Sequence, residues 1–139
     1  MPTLTAYWGE VIAEGAPYSL PGRVVRIVLG ERTAANRRLA LRWLRGQAHR
    51  IADGLDPGPA GIVGTCVNRT PNGLPDVPQQ LRDWCTDDDR QAAALAQLTR
   101  GEPVALDMAD HTGRYYLAVW PICIPVTLSD LLTTARAAV

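Results

Sequence analysis

The first pattern in the chain is an extended one. Residues 3–13, "TLTAYWGEVIA", and 23–29, "RVVRIVL", are rich in β-branched and aromatic side chains. In the second run Val25, Ile27 and Leu29 share one face and Val24, Arg26 and Val28 the other, which predicts a central strand buried on at least one side. The "EGAPYSLPG" between them has the Gly and Pro of a loop too long for a tight hairpin. The period then changes. From Thr33, the expected N-cap, to Gly54 the apolar positions recur at helical spacing, predicting a helix about 30 Å long. Leu41, Leu44, Ala48, Ile51 and Leu55 form its core stripe, flanked by Leu39 and Trp43.

Residues 56–78, "DPGPAGIVGTCVNRTPNGLPDVP", leave room for one short strand near 61–67. Asp76 caps a short helix with Pro78 in its first turn and Val77, Leu81 and Trp84 on one side. Thr86 with Asp89 resembles a capping box for the next helix, whose acidic start Asp87-Asp88-Asp89 suits a helix N-terminus and which Gly101 and Pro103 end. The strongest β signal is "PVALDMADHTGRYYLAVWP". A hairpin there puts Val104, Leu106 and Met108 on the same face as Tyr115, Leu117 and Val119. The closing "TLSDLLTTARAAV" has helical spacing, with Leu128, Leu131, Leu132 and Ala135 inward. The expected order is β-β-α-β-α-α-β-β-α. It describes a single α+β domain over residues 1–139, with a mixed, mainly antiparallel sheet of about five strands and helices packed on one face.

Composition narrows the class. The 139 residues are 47% hydrophobic and 20% charged, ordinary for a globular domain with a core. The apolar runs fall far short of the ~20 residues that cross a bilayer, and "MPTLTAYWGEV" lacks the basic and apolar regions of a signal peptide. A cytoplasmic protein without membrane contact is expected. All basic residues are arginine, and phenylalanine is absent too. A GC-rich coding bias accounts for both absences together, so arginine use alone says little about ligands.

Charge placement says more. Residues 1–70 carry nine Arg against five acids, and residues 71–139 carry five Arg against nine acids, so net zero hides an asymmetry. Within the first helix Arg38, Arg42, Arg45 and His49 fall within about 60° of one another, opposite the apolar stripe. Only Glu31, Asp53 and Asp56 lie near that stripe in sequence. The leading functional expectation is therefore a non-catalytic binding or accessory module. Its cationic helix face would meet an acidic protein surface or a second copy of the chain. Nucleic acid is the lesser partner class, because net charge is zero and no nucleic-acid-binding motif accompanies the stripe.

An acid-base enzyme or small-molecule binder is the alternative. Asp107, Asp110, His111 and Tyr116 cluster at the last hairpin, where a carboxylate beside an imidazole is a possible proton-transfer pair. Equally, Asp-His-Thr-Gly is good turn chemistry. Glu10 shares a strand face with Leu4, Ala6, Trp8 and Ile12, and a bulge at Gly9 is expected to turn it outward and Val11 inward. Gly58, Gly61 and Gly64 lack the Lys and the strand–turn–helix context of a phosphate loop. Cys66, Cys85 and Cys123 show no metal or disulfide spacing and read as buried free thiols, and two histidines cannot supply a histidine-rich metal site. No metal or cofactor is expected, and Asn68-Arg69-Thr70, followed by Pro71, reads as a chance sequon.

Overall fold

A computed structural model describes residues 3–15, 22–56, 76–111 and 113–127. The elements follow as β1 (Thr3–Gly15), β2 (Val25–Ala34), α1 (Arg37–Leu55), α2 (Val77–Thr86), α3 (Asp88–Thr99), β3 (Val104–Asp110) and β4 (Gly113–Pro125). The strands form one sheet in the order β2-β1-β4-β3. This is the α+β layering the hydrophobic pattern predicts, and the described residues supply four strands, each pairing among them antiparallel. The expected strand near 61–67, the glycines at 58, 61 and 64, the sequon, Cys66 and the closing helix lie outside the described residues.

One face of the sheet carries the core. Tyr7, Val11 and half-buried Ala13 of β1 line up with Tyr115, Leu117 and Val119 of β4 and with Val104, Leu106 and Met108 of β3. The β3–β4 parity is the one the alternation predicts. Onto this face α1 lays Ala40, Leu41, Leu44, Ala48, Ile51 and Ala52, while Val77, Leu81 and Trp84 of α2 and Ala94 and Leu98 of α3 close the rest. Burying a side chain such as Leu44, Leu81 or Leu117 stabilises the fold by about 1.5–3 kcal/mol. Leu39, expected on the edge of the core stripe, is 47% exposed instead.

Four sequence expectations, two of them helix caps, are corrected here. First, Thr33 is not the cap of α1: pairing with β1 carries β2 on to Ala34, opposite Tyr7, and Asn36 Oδ1 accepts from the Leu39 amide at 2.9 Å. Likewise Asp87, not Thr86, caps α3; Thr86 ends α2 and donates to the Arg82 carbonyl. Second, β2 is an edge strand, not a central one. Val24, Ile27, Val28 and Leu29 are all exposed, because among the described residues no strand pairs with the outer flank of β2.

Third, β1 has no bulge at Gly9. Its register with β4 runs unbroken from Thr3 to Glu14, so Gly9 faces the helices and Glu10 the opposite side by plain alternation. Gly9 is there for closeness: a Cβ at that position would run into the Trp43 ring of α1. The bulge is in the β1–β2 pairing. Val11 pairs with Gly30 and Ile12 with Val28, leaving Leu29 as the extra residue.

Candidate functional site

Helix α1 is anchored along one side in the core and shows Arg38, Arg42, Arg45 and His49 to solvent along the other. The spacing of these four, at i, i+4, i+7 and i+11, keeps them on one stripe over three turns. Their local surroundings differ. Arg45 Nη2 donates to the Cys85 carbonyl at 3.0 Å, pinning α1 to the last turn of α2, so this arginine belongs partly to the α1–α2 junction. Arg38, Arg42 and His49 make no ion pair or side-chain hydrogen bond with any described residue.

Arg23, Arg32, Arg37 and Arg90 are equally without a side-chain partner among the described residues, whereas five other arginines are engaged. Arg82 is held by Asp53 and Asp56 at 3.3 and 3.0 Å, its guanidinium pKa raised by those carboxylates against the opposing effect of burial. Arg100 pairs with Glu102, Arg114 with Asp107, and Arg26 loosely with Glu14 at 3.8 Å. Arg50 Nη2 donates to the bulged Leu29 carbonyl at 2.8 Å. Two of the three acids near the stripe in sequence, Asp53 and Asp56, are thus occupied by Arg82. Among the described residues the stripe has no acidic side chain bound to it, and guanidinium forks have the geometry to meet carboxylate or phosphate oxygens.

The alternative site lies on the other face of the sheet. Asp107 and Tyr116 are directly opposite each other across β3 and β4, as expected, and with Ile12, Glu14, Arg26 and Arg114 they line an open groove of about 300 Å³. Arg114 grips Asp107 in a fork at 2.8 and 2.6 Å, and this hydrogen-bonded cation holds the carboxyl below the usual aspartate range. A carboxylate stabilised in this way is a weak proton acceptor near neutral pH. His111 sits exposed at the turn and is not among the groove residues. Asp110 turns the other way and accepts from the Val77 amide at 3.3 Å, so it supports the start of α2. The structure therefore joins Asp107 to Tyr116 and leaves His111 and Asp110 apart from them.

Glu10 lies half-buried on that same face, opposite Glu31 of β2 and beside Trp8 and Ile12. Trp8 in turn faces Trp120 of β4. Cys85 is buried, which pushes its thiol pKa up against the pull of Arg45, whereas Cys123 is exposed and departs from the buried-thiol expectation. Among the described residues no three His, Cys, Asp or Glu side chains gather as metal ligands, and no helix is long and apolar enough to cross a membrane. Sequence reasoning missed the Glu10–Glu31 pair and the bare β2 edge, since both depend on which strands become neighbours. No protein-family model matches the chain, and no curated protein or solved structure is significantly similar to it.

Proposed function

We propose that this chain is a non-catalytic binding module whose α1 face docks an acidic protein surface. The observation that carries the reading is the row Arg38, Arg42 and His49: exposed, without partners among the described residues, and mounted on a helix whose opposite side is fixed in the core. A helix held in this way presents its cations in a preset geometry, which lowers the ordering cost of binding. The zero net charge of the chain favours a local, complementary contact over the broad cationic field that polyanionic nucleic acid requires.

Fluorescence anisotropy with a labelled polyglutamate peptide and a labelled DNA duplex tests the reading. The peptide is expected to bind, and the double reversal Arg38→Glu/Arg42→Glu to weaken it about tenfold or more, with an unchanged melting temperature. Arg45 is left in place because it holds α2. Peptide binding that ignores the reversal refutes the proposal, and duplex binding tighter than peptide binding replaces it with a nucleic-acid partner.

A further inference from the structure

β2 ends the strand order of the sheet formed by the described residues. A ten-residue edge strand with Ile27 54%, Val28 51% and Leu29 37% exposed, preceded by Val24 at 75%, is an open template for another strand. Natural edges are usually guarded by lysine, proline, inward charge or a bulge, and β2 has two of these in its Leu29 bulge and helix-side Arg32. Here the central stretch Ile27-Val28-Leu29-Gly30 carries no charge at all.

What picks out a second copy as the occupant is the bulge. In a regular strand Arg26 and Glu31, five residues apart, point to opposite faces. The extra residue Leu29 cancels that offset: Arg26 pairs with Glu14 of β1 and Glu31 with Glu10, so both stand on the face away from the helices. Val25, Ile27, Gly30 and Arg32 correspondingly share the helix side. On either side of Val28 and the bulged Leu29 the strand thereby repeats the same facing in reverse order. Laid antiparallel against itself about that point, it sets Arg26 opposite the partner's Glu31, Ile27 opposite the partner's Gly30 and Val28 opposite the partner's Leu29. The pairs flanking the bulge, Val25 with Arg32, Arg26 with Glu31 and Ile27 with Gly30, match in face, and the arginine–glutamate contact occurs twice. The Leu29 carbonyl, already bonded by Arg50, is not stranded at the seam.

Electrostatics favours the same register. Glu31 has the like charge of Glu10 directly across from it and no ion pair with any described residue, an unfavourable cross-strand pair. Arg26 is 64% exposed and only loosely held by Glu14. We propose that two copies of this chain join edge to edge through β2, Arg26 of each neutralising Glu31 of the other, so that the eight described strands make one continuous antiparallel sheet with the described helices on one side. This interface is independent of the α1 stripe.

Sedimentation equilibrium of the full chain at about 100 μM, a concentration that populates even modest homodimers, is expected to give twice the chain mass. Arg26→Glu and Glu31→Arg each place like charges across both contacts, and each is expected to weaken the dimer about tenfold or more. Mixing the two single variants restores opposite charges at both contacts, so the equimolar mixture is expected to regain the dimer mass. That recovery also shows both variants to be folded. Val28→Lys is expected to give a folded monomer, and Arg38→Glu/Arg42→Glu to leave the mass unchanged. A monomeric parent chain, a dimer indifferent to the single reversals, or a mixture no heavier than its components overturns the proposal.

Discussion

Replacing Gly9 by alanine tests how β1 and α1 are packed. The new Cβ would meet the Trp43 Cζ3 and Cε3 atoms inside van der Waals contact, with Cη2 at 3.1 Å, so the ring or the strand must move. Overpacking of this kind costs about 1–3 kcal/mol. Against it stands the gain from removing a flexible glycine in a strand, about 0.5–1 kcal/mol. The net expectation is a loss of about 1–2 kcal/mol, or roughly 3–8 °C in melting temperature for a chain of this size. Urea denaturation followed by circular dichroism measures the change, and a second background isolates its cause. With Trp43→Leu the obstructing ring atoms are gone, so Gly9→Ala is expected to become neutral or mildly stabilising, a coupling of about 1–2 kcal/mol between the two sites. Gly46 is the internal contrast. It lies exposed within α1 with no atom near its added Cβ, so Gly46→Ala is expected to stabilise by about 0.5–1 kcal/mol. Equal effects of Gly9→Ala with and without the Trp43 ring would refute the close-approach explanation.

Two further outcomes follow from the local chemistry. Asn36→Ala removes the amide-capping oxygen of α1 and is expected to cost about 1 kcal/mol by chemical denaturation, whereas Thr33→Ala, on the exposed strand, is expected to cost less than about 0.5 kcal/mol. Asp107 has its folded pKa lowered by Arg114, so its stabilising contribution is complete above the unfolded aspartate value near about pH 4 and is lost as pH falls through the lower folded value. Thermal melts of the parent and Asp107→Asn are therefore expected to differ by a constant amount from about pH 5 to pH 8 and to converge in acid. A gap that persists or widens in acid contradicts this assignment.

Much of this protein is legible locally. The amphipathic period of residues 37–55 and the alternation of 104–119 each follow from side-chain geometry on a single element, and Leu44, Ile51, Leu106 and Leu117 are buried as that geometry requires. Capping by Asp76 and the glycine end of α3, where Gly101 takes a φ of 79°, are likewise short-range chemistry. The arginine stripe of α1 follows from the same period. Which arginines keep free heads is a tertiary matter, because Arg45 finds the Cys85 carbonyl forty residues away and Arg82 takes Asp53 and Asp56 from the stripe's neighbourhood. The strand order is the deeper case. "RVVRIVL" has the composition of a central strand, yet the long-range pairings of β1 with both β2 and β4 leave it at the edge, and no residue within it encodes how many neighbours it will have. The same order decides that the odd residues of β1 meet the helices, that Gly9 must lie under Trp43, and that Glu10 and Glu31 stand opposite each other. Alternation sorts a strand into two faces; only the packing of α1 across β1 and β4 determines which of those faces is the inside.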